Sequence, residues 1–212
     1  MTESSNTTDN PVYFWRDADT ETGWLSQWYY CPFTDDKNPE IVYDTAKQSV
    51  SPARTLHPMQ RCANYFSSYM MYHKALLFND QAVADQVLSA GHPRDAKALG
   101  RQVQNSSDET WKKHRTAIVQ QGNLLKFTGA VTEKGFRKGT GNDTPPIDGS
   151  LREMLLATGT REIVEASPYD KTWGIGCLAA DAERRRAYWG LNLLGKALME
   201  VRWLLREQTP QT

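Results

Sequence analysis

The chain has 212 residues, enough for one domain with a proper core. Lysine plus arginine and aspartate plus glutamate both number 25, so no net field draws the protein to nucleic acid or to a membrane surface. Cys31, Cys62 and Cys177 are odd in number and lack paired spacing, which argues for free thiols in a reducing compartment rather than disulfides or a zinc site.

Residues 1–11 are polar and Ser/Thr-rich and are expected to be disordered, as a frayed cytoplasmic or nuclear N-terminus rather than a signal peptide. Pro11 to Trp15 reads as a strand, Asp17 to Gly23 as a turn-rich loop, and Ile41-Val-Tyr43 as a second short strand. The aromatic stretch Trp24 to Phe33 is irregular, with Ser26, Gln27 and Trp28 at its centre. Residues 49–68 show no clean periodicity. From Tyr69 onward Met70, Lys74 and Leu77 recur at helical spacing, and Asp80 is placed to cap a helix carrying Val83, Val87 and Leu88. Pro93 suits the first turn of a helix ending near Gly100.

Ser106 with Glu109 matches a capping box, opening a long amphipathic helix with Trp111, Arg115, Ile118, Val119, Gly122 and Leu125 on one side. Residues 128–149 read as a surface loop rich in Gly, Lys, Thr and Pro. Ser150 is expected to cap a short helix to Thr158, and a short apolar strand runs into Glu165. A final helix is predicted from about Glu183 to Arg206, striped by Leu191, Leu194, Leu198, Val201 and Leu205, with residues 207–212 as a tail. The fold class expected is mainly α (α+β), a single domain of packed helices with a few short strands over residues 12–206.

Between Glu165 and Gly176 the sequence crowds Pro168, Asp170, Trp173 and two glycines into a few residues. A core built from aliphatic side chains does not need that density of acid, indole and glycine, so the stretch reads as a site. No metal-ligand spacing links His57, His73, His92 and His114.

Lys74-Ala-Leu-Leu-Phe-Asn-Asp80, His92 to Arg101, Trp111 with Arg115 and Ile118, Lys126-Phe127, Leu155-Leu-Ala-Thr-Gly159, Val164-Glu-Ala-Ser-Pro168, Trp173-Gly-Ile-Gly176 and Asn192 to Met199 follow one another in order. In this they resemble the successive motifs of the NADAR, or YbiA-like, family. Phe14-Trp-Arg16 and Leu25-Ser-Gln-Trp-Tyr29 resemble the opening motif of its eukaryotic and fungal-type branch. The resemblance implies an N-glycosidase that cleaves the bond between ribose and a base or amine, with no metal or organic cofactor. The substrates implied are a ribosylaminopyrimidine phosphate of riboflavin synthesis or ADP-ribosylated guanine. The partner is then a small nucleotide-like molecule, with ADP-ribosylated nucleic acid as a further form of the same substrate.

Such chemistry needs a carboxylate near C1 of the sugar and a way to protonate the leaving base. Asp170 is a candidate for the first role or a turn cap, and Glu165 is a candidate acid or a salt-bridged structural residue. Trp173 and Trp111 are candidates to stack on the base or to wall the pocket. Arg16, Lys74 and Arg101 are candidate phosphate contacts, with ion-paired surface roles as the alternative. Ser26, Gln27 and Asn192 are candidates to hydrogen-bond the base or ribose, although Asn192 suits backbone capping equally well. Gly174 permits close backbone approach.

One departure from the family pattern is serious. Tyr43-Asp-Thr-Ala-Lys-Gln48 matches the front half of the second motif and Tyr69-Met-Met-Tyr-His-Lys74 the back half. Lys47 stands where the family's catalytic Glu is expected, and residues 49–68 separate the halves. Either a true insertion bulges from the helix or unspliced intron is translated. The second accounts better for an aperiodic stretch inside a site helix. A cation near C1 opposes an oxocarbenium-like transition state, so weak or absent glycosidase activity is expected, leaving a binder of NAD- or ADP-ribose-like ligands.

Overall fold

A computed structural model describes residues 10–29, 31, 33–35, 41–43, 61–62, 66–129 and 150–208. Lys47, the N-terminal residues 1–9, most of 49–68, and 130–149 therefore lie outside the described residues, and with them the expectations placed there.

Two small sheets accompany seven helices among the described residues. Strand β1 (Val12–Phe14) pairs in parallel with β5 (Ile163–Glu165), with Phe14 opposite Glu165. Strand β2 (Phe33–Thr34) runs antiparallel to β3 (Ile41–Tyr43), and β3 runs parallel to β4 (Arg61–Cys62). The helices are α1 (Phe66–Leu77), α2 (Gln81–Ser89), α3 (Pro93–Gly100), α4 (Asp108–Thr128), α5 (Leu151–Ala157), α6 (Ala179–Ala182) and α7 (Leu193–Glu207). Helix α1 packs on α2, α3 and α4, while α7 packs on α4, α5 and β5. Between them lies a core that includes Leu25, Ala75, Val87, Val119, Leu155, Ile163, Leu198 and Leu205, all sealed from solvent.

Several helix starts follow directly from the local sequence. Asp80 Oδ1 accepts from the N–H of Val83, and its Oδ2 accepts from Gln104. Pro93 opens α3, where its missing N–H costs nothing, behind the cap His92. Ser150 and Glu153 complete a reciprocal capping box on α5. On α4 the cap is Ser107, not Ser106: the Ser107 hydroxyl accepts from Thr110, and Glu109 instead pairs with Lys113 one turn on.

The C-terminal helix is not continuous from Glu183. Residues Glu183–Tyr188 form a 3₁₀ helix, the chain then extends, and α7 starts at Leu193 behind Asn192, whose φ is 49°. Across this break the N–H groups of Gly190, Leu191, Asn192, Leu193 and Leu194 donate to the carbonyls of Ile175, Lys171, Gly174, Thr172 and Trp173. The backbone thus exchanges helical partners for the loop that follows β5, so Leu191 is exposed rather than part of the apolar stripe. Helix α7 then passes so close to β5 that a Cβ on Gly195 would sit 2.1 Å from the carbonyl oxygen of Ile163.

Of the front half of the second motif only Tyr43 is among the described residues. Tyr43 ends β3, Arg61–Cys62 forms a strand beside it, and the back half lies on α1. The first turn of α1 is supplied by Phe66, Ser67 and Ser68 rather than by the front half of the motif.

Candidate active site

The chain turns from β1 through Trp15, Arg16 and Asp17 into a 3₁₀ turn at Gly23–Leu25, and then presents Ser26, Gln27 and Trp28. Facing this segment are Met70 and Met71 of α1, Arg94 and Lys97 of α3, and the stretch from Glu165 to Trp173 after β5. Together they line a cavity of about 520 Å³. Its size falls within the usual range for small-molecule sites, roughly 300–1,000 Å³.

Glu165 ends β5. Its N–H donates to Oδ1 of Asn192 (3.0 Å), while Asn192 Nδ2 donates to the carbonyl of Ile163 (2.9 Å). One buried amide therefore fixes the strand end from which the carboxyl projects. Oε2 of Glu165 is sealed from solvent and has no hydrogen-bond partner among the described residues. Burial, reinforced by the nearby Asp170 charge, pushes the Glu165 carboxyl up to about 8, against a pull downward from Lys97.

Asp170 Oδ1 accepts the N–H groups of Thr172 and Trp173, both at 2.8 Å, so its carboxyl both caps the turn and lines the cavity. Gly174 closes the turn: a Cβ there would lie 2.6 Å from the carbonyl oxygen of Glu165, so only glycine lets the loop fold back against the strand. Trp173 forms part of the lining, with the Arg115 guanidinium 5.9 Å from its ring centroid. Tyr169, exposed at the mouth, packs its ring 5.9 Å from that of Trp15, over which Arg16 lies at 4.4 Å.

Helix α3 adds two cations to the lining. Arg94 and Lys97 lie three residues apart on α3 and so share one face of that helix. His92 at its start holds the N–H of Arg94 through Nδ1 and meets the Trp28 ring edge-on at 6.3 Å. Gln27 contributes an amide Nε2 that is buried without a partner among the described residues.

Of the residues singled out in the sequence, Arg16, Ser26, Gln27, Glu165, Asp170 and Trp173 are brought together in this cavity. Lys74, Arg101, Trp111, Gly174 and Asn192 are not among its lining residues. Lys74 donates to the carbonyl of Gly100 at 2.7 Å and lies 5.7 Å from the Trp111 ring, which packs on the core. Arg101 is an exposed residue ending α3, and Asn192 braces β5 from behind. Lys47 lies outside the described residues. Trp15, Asp17, Trp28, Met70, Met71, Arg94, Lys97, Ser167 and Tyr169 also line the cavity and are not among the candidates named from the sequence. For Arg94 and Lys97 the available signal was their shared helix face just after the His92–Pro93 start.

The lining thus combines carboxyls, cations and indole rings, groups able to meet phosphate and the face of an aromatic ring. The NADAR domain family matches this sequence over residues 13–206, and the chain belongs to that family. It is 40% identical over 144 residues to an N-glycosidase of Acanthamoeba polyphaga mimivirus, covering 66% of this chain and 74% of the relative. A riboflavin biosynthesis protein of Vibrio vulnificus is 28% identical over 206 residues, which is 97% of this chain but 41% of that protein. The fold is also that of the Escherichia coli protein YbiA solved by NMR: the TM-score is 0.59 at 19% identity, covering 94% of this chain and 87% of the other. No described helix is long and apolar enough to cross a membrane.

Proposed function

We propose that this protein is an N-glycosidase that hydrolyses the bond between C1 of a phosphorylated or ADP-linked ribose and a nitrogen base. The observation that carries the reading is Glu165, a cavity-lining carboxyl beside Asp170 whose Oε2 is sealed and without a partner among the described residues, and which burial pushes up to about 8. Carboxyls driven to different protonation states by their surroundings are a common source of acid and base roles in glycosidic cleavage.

In this mechanism the Glu165 carboxyl protonates the base nitrogen as the C–N bond breaks and its electron pair leaves with the base. Asp170 stabilises the cationic C1 and accepts a proton from the attacking water, whose oxygen forms the new bond to C1. The products are the free base and the ribose with a 1-hydroxyl; the Asp170 proton returns through solvent to restore Glu165. Trp28 and Trp173 hold the base by stacking, and Gln27 donates to the base or to a ribose oxygen. Arg16, Arg94 and Lys97 hold the phosphate. The protein's relatives, an N-glycosidase and a riboflavin biosynthesis protein, support this class of reaction. Two substrates fit it, a ribosylaminopyrimidine phosphate and ADP-ribosylated guanine.

Mass-spectrometric product analysis with both substrates tests the proposal. Release of free base with the matching ribose phosphate from one of them is expected, and release from neither overturns it. A second reading, a binder that retains the pocket without turnover, draws on the α1 side of the cavity, where Met70 and Met71 line it and the described part of the helix offers no carboxylate. For that reading, ADP-ribose raises the melting temperature while neither substrate is consumed.

A further inference from the structure

Lys126 sits on the last turn of α4 with only 1% of its surface exposed. Its ammonium donates to the carbonyls of Trp24 (2.6 Å) and Ser26 (2.9 Å) and lies 5.6 Å from the Tyr29 ring and 5.4 Å from the Phe127 ring. No ion pair to it occurs among the described residues. Its own backbone carbonyl accepts from the Cys31 thiol at 3.9 Å. A single residue of α4 therefore reaches the segment near both ends, by side chain at 24 and 26 and by backbone at 31.

Burying a cation without a carboxylate is expensive, and desolvation holds this amine down to about 8. Packing alone would be served by a methionine or leucine of similar reach. What the amine adds is directional: it holds the carbonyls of Trp24 and Ser26, the second of which also accepts the N–H of Tyr29 at 3.2 Å. Within that turn Ser26 Oγ accepts the N–H of Trp28 at 3.1 Å, and the next residue, Gln27, lines the cavity while its amide nitrogen is buried and without a partner among the described residues. Here a local rule of core building is broken where the chain must hold a recognition surface in place.

We propose that Lys126 is a positioning residue that sets the Ser26–Trp28 wall for substrate, acting chiefly through the Gln27 amide. This rests on reading the cavity as the substrate site. It does not depend on which base is released.

The test uses the full-length protein and the variants Lys126→Met, Gln27→Ala and their combination. In Lys126→Met the backbone amides of residues 24–29 are expected to exchange with deuterium faster while those of α7 keep their protection. With whichever substrate the wild type turns over, each single variant is expected to raise KM about tenfold, the scale of one lost buried hydrogen bond, with kcat within about twofold. Because Lys126 acts through Gln27, the double variant is expected to lose no more than the worse single one. Unchanged exchange at 24–29, an unchanged KM, or additive losses in the double variant would each overturn the proposal. So would failure of Lys126→Met to fold, because the lysine would then be a requirement of the core. If the wild type turns over neither substrate, the hydrolase reading fails, and exchange at 24–29 still decides whether Lys126 holds this wall.

Discussion

The two walls of the cavity are held in different ways. The loop after β5, which carries Glu165, Asp170 and Trp173, is sewn to the start of α7 by five successive backbone N–H groups and braced by the Asn192 side chain. The wall at Ser26–Trp28 draws on turn bonds and on the buried amine of Lys126. The acid-bearing wall is thus tied to a neighbouring helix by more backbone bonds than the Ser26–Trp28 wall, whose long-range hydrogen bonds include those of Lys126. For a reaction that needs a proton donor within a fraction of an ångström of its target, the proposed chemistry belongs on the more heavily tied side.

The strongest way to break this contrast is at Glu165. Glu165→Gln is expected to lower kcat about 10²- to 10⁴-fold with little change in KM, the range for loss of a general acid. Steady-state kinetics check this, and a loss below tenfold would remove Glu165 from the proton-donor role. In the wild type kcat/KM should fall as pH rises through about 8, as the carboxyl loses its proton. Stability should respond in the same direction. The folded-state value is raised from 4.5, so the stabilisation is complete below about 4.5 and is lost as pH climbs through about 8. Denaturant titrations from pH 5 to 9 should show that loss in the wild type and a flatter profile in Glu165→Gln.

Next in size is the seam itself. Gly195→Ala places a methyl group 2.1 Å from a backbone oxygen that cannot rotate away, and is expected to cost about 3 kcal/mol in urea unfolding. Asn192→Ala removes two buried hydrogen bonds and leaves a β-carbon at positive φ, a combined loss of about 2–3 kcal/mol. Asn192→Gly keeps the backbone comfortable and isolates the side-chain share. If Asn192→Gly matches the wild type in stability and kcat, the brace on Glu165 is unimportant.

The smallest effect expected is at the α3 cations. Lys97→Met should raise KM about fivefold through loss of a charge-assisted contact to phosphate. It also removes a cation that draws the Glu165 carboxyl downward, so the alkaline limb of the pH profile should move upward. An unmoved limb would mean that Lys97 and Glu165 do not sense each other across the cavity.

Much of the frame was legible in the residues. Asp80, Pro93 and Ser150 act through short-range capping chemistry that a reader of the chain can count off, and β1, β3 and β5 fall where apolar runs place them. Where sequence reasoning failed over the final helix, a long-range partner had decided. The helical pattern after Glu183 was real, but loop carbonyls from residues 171–175 outbid helical ones across Gly190 to Leu194. The Ser106 miss was local: Ser106 has the capping-box spacing to Glu109, but Ser107 caps α4 through the Thr110 N–H while Glu109 pairs with Lys113.

The site divides along the same line. Motif order placed Arg16, Gln27, Glu165, Asp170 and Trp173 in one cavity without coordinates, because those residues follow one another in a pattern of their family. It did not separate them from Lys74, Trp111 and Asn192, which the same motifs contain and which the structure sets behind the wall.

By itself, then, the sequence determined the family, the helix starts and the chemical types gathered for the site, because motif, cap and periodicity are local properties. Only the tertiary structure decided that Glu165 is buried beside Asp170 with its carboxyl pushed upward, that Arg94 and Lys97 of α3 line the same cavity, and that the Lys126 ammonium reaches the carbonyls of Trp24 and Ser26. Desolvation and the meeting of distant groups set those properties, and neither is written in the spacing of residues along a chain.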